Sequence, residues 1–379
     1  MRRGIYVYPW DLQEEGTRAV AERLRAAAID TVSVATAYHA GKFLRPHAPR
    51  RKVYFPEDGT VYFQPRAELY GRVKPVQSKL AQEFDVLSEL AKEAADLAVS
   101  GWTVGLHNTR LGEAHPDLVC TTAYGDPLYN ALCPAQPQVR EYLISLCTDL
   151  GRGRGLREIA LETPGYQAYR HGHHHEFELV ELTEPVETLL GICFCPACRN
   201  RAKASGIDAE ALSRLARSEL DHFFESGRAP ERDVRSDPEW SAFHDLRASV
   251  VTSLVAEIRA ELDPSVSLAI IPSVQTPNDL CWREGSNLAE LAETADRLEV
   301  PAYQCGEEAI AADMSRVRQA AGSTARIGFI LRPTWPNVSG SAELATCVAA
   351  AEANGAESVA FYNYGHMRLQ SLDWIAMSP

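Results

Sequence analysis

The sequence of 379 residues predicts an α/β fold, a (β/α)8 TIM barrel. Three observations carry that prediction. Eight short apolar runs of strand length alternate with stretches of helical apolar rhythm. Most of the runs end on residues that bear chemistry rather than on plain turn residues. No internal repeat, low-complexity tract or linker divides the chain, so residues 1–379 read as a single barrel domain.

Taken in order, Gly4 to Tyr8 is a first strand before Pro9-Trp10-Asp11, and Leu12 to Ala28 has helical spacing. Thr31 to Tyr38 is a second strand, ending on His39. A long insertion follows, in which Val53-Tyr54-Phe55 and Val61-Tyr62-Phe63 flank Pro56-Glu57-Asp58-Gly59 and predict a β-hairpin on an Asp-Gly turn. Lys79 to Ser100 reads as helix, and Trp102 to Leu106 as a third strand that runs into His107-Asn108. Pro137 to Leu150 is helical, and Arg157 to Leu161 is the fourth strand, closed by Glu162 and stopped by Thr163-Pro164-Gly165. A long loop bearing His and Cys comes next, then helices at 209–224 and 240–262. Strands at 266–271, 298–303, 326–331 and 358–362 alternate with helices at 288–297, 309–321 and 342–353. Those last strands deliver Gln275, Gln304, Arg332 and Asn363-Tyr364-Gly365-His366 to their ends.

Hydrophobic residues at 45% and charged residues at 23% describe an ordinary globular chain. A formal charge of -13 with no basic run argues against a nucleic-acid partner or an anionic membrane surface, both of which need a positive footprint. A neutral or cationic small molecule fits better, and a homo-oligomer stays open. Pro9, Trp10 and Asp11 cut the apolar segment behind Met1-Arg2-Arg3 before it reaches signal-peptide length, and no run is long enough to cross a bilayer. Nine cysteines, three of them crowded together, point to a metal in a reducing compartment and hence to a cytoplasmic location.

In such barrels the active site is built at the carboxyl ends of the strands, so the polar strand ends share an address. Glu162 is the leading catalytic candidate, because a carboxyl group at an aromatic-walled barrel mouth loses hydration of its charged form and becomes a usable general acid. Its bland alternative is an ion pair with Arg332. Glycoside cleavage needs a second carboxylate, drawn from Asp11, Asp279, Glu307 or Glu308, with Asp11 and Glu307 preferred. Glu307 and Glu308 also suit a helix first turn for purely structural reasons. His39, His107, Asn108, Trp282, Gln304, Arg332, Tyr364 and His366 are the candidate substrate-binding residues. Trp10, Trp335, Tyr303 and Tyr362 add flat faces suited to stacking on a pyranose.

The spacing C-x-C-x2-C in Cys193, Cys195 and Cys198 suits one tetrahedral ion, with Cys133 as the fourth ligand and Cys120 or Cys147 as substitutes. Four thiolates leave no open position, so the expected cofactor is a structural zinc. His171, His173, His174 and His175, beside Glu176, read either as a second metal site or as a loop over the barrel mouth, the loop being preferred.

Cys133-Pro134, the helix through Val139-Arg140-Glu141-Tyr142, the strand ending on Glu162 and the run Cys193-Phe194-Cys195-Pro196-Ala197-Cys198 together resemble the catalytic barrel of glycoside hydrolase family 42, the β-galactosidases. The resemblance covers residues 130–200 with motifs and the rest through fold. It implies an acid/base role for Glu162 and structural zinc on Cys133, Cys193, Cys195 and Cys198. Leu161 stands where that family has Asn, and Arg332 marks the region where it has a strand-seven Glu nucleophile. The expectation is a glycoside hydrolase-like enzyme with a changed substrate or mechanism. The alternatives are a sugar isomerase, epimerase or lyase using His39, His107 or His366 with Glu162, and a carbohydrate-binding barrel without turnover.

Overall fold

Each of the eight apolar runs is a β-strand in the computed structural model, which describes residues 1–172, 179–275 and 277–379. The strands are β1 (Arg2–Val7), β2 (Thr31–Tyr38), β3 (Ala98–Val104), β4 (Glu158–Glu162), β5 (Ser267–Ile271), β6 (Arg297–Pro301), β7 (Ile327–Leu331) and β8 (Ser358–Phe361). Each pairs in parallel with its sequence neighbour, and β1 pairs with both β2 and β8, which closes the barrel. Helices such as Pro137–Gly151, Pro238–Glu261, Glu307–Ala321 and Ser341–Ala353 surround it, as the alternation predicts.

Alternation along β4 sets the plan of the interior. Ile159 and Leu161 belong to the large core between barrel and helices, whereas Ala160 belongs to the cluster inside the barrel with Tyr6, Trp102, Ala269, Ile330 and Ala360. The alanines leave room for Tyr6 and Trp102, whose rings meet edge to face at 5.1 Å. At the amino ends of the strands, Arg297 donates from Nε and Nη2 to Glu158 at 2.7 Å, from Nη2 to Glu299 at 2.9 Å and from Nη1 to Ser358 at 2.8 Å. Gly328 makes room for this guanidinium, because a Cβ there would stand 2.5 Å from Arg297 Nη1 and 2.2 Å from Ser358 Oγ. One end of the barrel is thus sealed by a satisfied ion cluster, and the other is left for a site.

Three expectations change. The insertion after β2 does carry a hairpin, but Val53–Tyr54 pairs with Phe43–Leu44, while Thr60–Val61 joins the antiparallel edge of β2 and the parallel strand Val76–Gln77. The first helix is interrupted at Gly16 into Pro9–Glu15 and Thr17–Ala26. The predicted helix to Ser100 is two helices, Lys79–Glu83 and Val86–Glu93, and stops there, since Ala98 to Gly101 already belong to β3. Between Glu162 and the helix Pro238–Glu261 the chain inserts helices Glu184–Gly191, Pro196–Ala204 and Ala209–Ser226, which bury a small core of their own around Phe194, Trp240 and Phe243. No helix among the described residues is long and apolar enough to cross a membrane.

Candidate active site and cysteine cluster

A cavity of about 280 Å³ opens where the strands end. Its apolar wall comes from Tyr6, Tyr38, Phe43, Trp102, Tyr303 and Tyr362, and its polar lining from His39, Glu162, His171 and Arg332. Such a space, mostly aromatic with a few convergent polar groups, is what a small-ligand site requires. Tyr8 and Tyr362 share a hydroxyl hydrogen bond at 3.0 Å, and the Tyr8 hydroxyl donates to Tyr38 at 3.1 Å, which braces the wall from behind.

Glu162 is the last residue of β4 and faces the cavity. Burial pushes its carboxyl up to about 7, against the opposing pull of Trp102, whose indole Nε1 donates to Oε2 at 2.6 Å. It forms no ion pair with Arg332. That guanidinium lies 3.8 Å above the Tyr303 ring instead and adds positive charge to the cavity wall. A second acid in the vicinity is Glu284, at the end of the short helix Asn278–Glu284 after β5. Burial raises it to about 7 despite donors on Oε1 from Ser273 (2.6 Å) and Gln275 (2.9 Å), and the charge of Glu162 adds to the rise. Glu284 was not legible in the sequence, where it sits two residues after Trp282 in a stretch without periodicity, well beyond the end of β5.

The other predicted residues divide sharply. His39 and Arg332 line the cavity, and His107 stacks on His39 with ring centroids 4.2 Å apart. Asp11 lies behind the wall, buried, with Oδ1 taken by Arg45 Nε at 2.9 Å and Oδ2 near the Tyr8 amide. Glu307 and Glu308 begin a helix and border a separate open surface hollow. Asp279 lies in the short helix that ends at Glu284. Asn108 is a helix cap, accepting from the Leu111 amide at 2.9 Å and donating to the Gly59 carbonyl at 3.2 Å. The Tyr364 hydroxyl points away from the cavity into a cluster with Glu15 and Arg23, 2.8 Å from each. Trp282 packs on His244, and Gln304 lies outside the lining, its carbonyl accepting from Asn337. His366 stacks on Phe43 and stands one ring back from the lining. Trp10 is buried against Tyr8 and Tyr54, and Trp335 is 76% exposed. Strand ends need polar groups for capping and closure as well as for ligands, and these residues serve those ends. His173, His174, His175 and Glu176 lie outside the described residues; His171 joins His39 and His107.

Beneath the loop after β4, Cys133, Cys193, Cys195 and Cys198 converge, all buried. Cys133 Sγ stands 3.6 Å from the sulfurs of Cys195 and Cys198 and 3.8 Å from that of Cys193. A tetrahedral ion with metal–sulfur bonds of about 2.3 Å sets its thiolates ~3.8 Å apart, so the four residues fit. Donors already address the sulfurs: the Thr121 amide reaches Cys193 at 3.4 Å and Gln136 Nε2 reaches Cys195 at 3.8 Å. Cys120 is buried against the cluster, beside Cys133 and Cys193, but is not one of the four that converge, and Cys147 is buried outside the set.

Fold and site define the class: an α/β barrel with a glutamate at the mouth of its fourth strand. No protein-family model matches the sequence, and no curated protein matches it. Among solved structures, the chain is similar to the PgaB (BpsB) glycoside hydrolase domain from Bordetella bronchiseptica, at 13% identity and a TM-score of 0.60 over the whole of both chains. It is also similar to the β-galactosidase from the psychrophilic Marinomonas ef1, at 12% identity and a TM-score of 0.59, where it covers all of this chain and 58% of that one. The likeness is one of fold. It places this chain among barrels of the kind seen in glycoside hydrolases, without tying it to family 42.

Proposed function

We propose that the protein is a glycoside hydrolase-like enzyme acting on a small carbohydrate, with Glu162 as its general acid. The observation that carries this reading is the position of Glu162: the end of β4, in an aromatic-lined cavity, its proton held to about pH 7 by burial. An acid of that pKa is protonated often enough at neutral pH to donate to a glycosidic oxygen and ionised often enough to take a proton back. Tyr38, Trp102, Tyr303 and Tyr362 supply faces for a sugar ring, and Arg332 a donor for its hydroxyls. Asp11 and Glu307 are engaged elsewhere, so we assign the second carboxylate role to Glu284, which is buried outside the cavity lining and whose carboxyl the charge of Glu162 raises. The thiolate cluster is proposed to hold a structural zinc, which would pin the loop that carries His171 and leave no position open for chemistry. The likeness to the PgaB domain and to the β-galactosidase supports the reading through fold alone.

The test is a panel of aryl glycosides with leaving groups of graded acidity. Glu162→Gln should lose most of its rate on poor leaving groups and far less on dinitrophenyl glycosides, which need no acid; Glu284→Gln should lose rate on both. An equal loss of Glu162→Gln across the panel would end the general-acid assignment. A second reading is favoured by one observation: among the described residues Glu162 is the only carboxylate in the cavity lining, and imidazoles share that lining. It is proton transfer at carbon by Glu162 with His39 or His107, as in an isomerase, epimerase or lyase, and product analysis separates the two, since hydrolysis yields two fragments and isomerisation one.

A further inference from the structure

We infer that His39, His107 and His171 form a binding site for one divalent transition-metal ion whose exchangeable position faces the cavity that Glu162 lines. The inference goes beyond the hydrolase reading and stands on the imidazoles, whatever bond the enzyme acts on. The three rings come from three separate stretches: His39 follows β2, His107 follows β3, and His171 lies in the loop after β4. Their donor nitrogens nevertheless lie within 4.8 Å of one another. Around an ion with metal–nitrogen bonds of about 2.0–2.1 Å the donors stand ~3.4 Å apart, so shifts of about an ångström close the set. The main movement is a turn of the His39 ring out of its stack on His107.

The surroundings are built for this convergence. His39 Nδ1 lies 2.6 Å from the Ala40 carbonyl, which can only accept, so Nδ1 carries the proton and Nε2 keeps its lone pair for a ligand bond. One short strand, Pro127–Leu132, sets two of the three residues: Ala131 bridges to His107, and Asn130 Nδ2 donates to the His171 carbonyl at 3.2 Å. Gly172 lets that loop close, because its φ is +112° and a Cβ there would stand 2.6 Å from His107 Nε2. Three imidazoles are the ligand set of open zinc sites, where a water or a substrate oxygen completes the shell. His39 and His171 belong to the cavity lining, so that fourth ligand comes from the cavity. The site differs from the thiolate cluster in every respect that matters to binding: nitrogen for sulfur, three ligands for four, open for closed.

The test uses the full chain, stripped of metal and kept reduced, titrated with cobalt(II) and followed by absorption, with bound zinc counted in a parallel sample after gel filtration. The expected result is a visible ligand-field component without thiolate-to-cobalt charge transfer. It should vanish, with one metal equivalent per chain, in His39→Gln and in His171→Gln, whose far-UV circular dichroism and any thiolate charge-transfer band stay as in the wild type. Unchanged stoichiometry and spectrum in both variants would overturn the inference, and so would a wild-type protein whose only bound cobalt is thiolate-ligated. If either variant fails to fold, the metal count on the wild-type chain decides: a second equivalent beyond the thiolate set supports the site, and a single thiolate-ligated equivalent overturns it. Glycosidase activity is not the readout, so failure here is separable from failure of the hydrolase reading.

Discussion

Glu158 and Glu162 stand four residues apart on the same strand and face, at opposite ends of the barrel interior, and their carboxyl groups are driven in opposite directions. Burial alone would raise both. At Glu158 the Arg297 guanidinium, held by two hydrogen bonds of 2.7 Å, more than offsets that and keeps the carboxyl below its ordinary range. At Glu162 the one side-chain partner among the described residues is a neutral indole, and burial wins. What sets these two buried carboxyl groups apart is therefore the cation beside Glu158, not depth. Glu299 shows the intermediate case: it shares the same guanidinium, and burial together with the charge of Glu158 still leaves it raised.

The largest expected effect tests the chemical end. Glu162→Gln keeps the shape and an acceptor for Trp102 but removes the proton, and turnover of a glycoside with a poor leaving group should fall by about 10²–10⁴-fold. Initial rates at a fixed pH check it. The next effect tests the structural end: Arg297→Met leaves Glu158 and Glu299 buried with only the half-exposed Arg2, 4.0 Å from Glu158, as a cation, and should cost ~3–5 kcal/mol of stability by urea unfolding. If Arg297→Met cost no more than a surface substitution, the claim that this cation holds Glu158 in its ionised state would fail.

How much of this contrast was legible in the sequence follows from the same physics. The barrel was legible because strand and helix periods repeat over whole elements, and the thiolate set because its C-x-C-x2-C spacing brings three ligands together locally, leaving only Cys133 to be chosen. Glu162 was legible as a carboxylate that closes an apolar run. Arg297 was not: a charge at the start of a strand reads as a boundary, and nothing local reveals that it turns inward to meet Glu158, 139 residues away. Asp11 misled for a similar reason, since its partner Arg45 arrives from the insertion after β2. Asn108 and Tyr364 were read as site residues because they sit at strand ends, but capping and loop closure use the same residue types. The two-residue strands of the insertion are too short for alternation to fix a partner. The meeting of His171 with His107 depends on Gly172 and Asn130, neither of which marks a site by itself.

A smaller effect separates stability from activity at Glu162. Its folded pKa of about 7 lies above the ordinary carboxylate value, so the folded state binds the proton more tightly than the unfolded chain. Its contribution is fully present below the unfolded pKa of about 4.3 and is lost as pH rises through about 7. Glu162→Gln has no charge to bury. At pH 8 it should be more stable than the wild type by about 1–3 kcal/mol, discounted for the water that the cavity admits, and the difference should vanish near pH 4. Chemical denaturation at the two pH values checks the sign; a variant less stable at pH 8 than at pH 4, relative to wild type, would mean that Glu162 is not buried as an acid.

The smallest effect is the most specific to the mechanism. The Trp102 hydrogen bond favours the ionised form of Glu162 and so opposes the rise caused by burial. Trp102→Phe keeps an aromatic ring against Tyr6 and removes the donor, so the Glu162 pKa should move further up. A general acid works in its protonated form, and the rate should fall as pH rises through that pKa. In the wild type this alkaline limb belongs near pH 7; in Trp102→Phe it should shift upward by about one unit, which corresponds to ~1.4 kcal/mol of preference of the indole for the ionised carboxylate. The acidic limb belongs to another group and should stay in place. Profiles of kcat/KM against pH for the two proteins decide it: a limb that moves down, or both limbs moving together, would show that Glu162 acts as a base or that the indole positions substrate instead of tuning the acid.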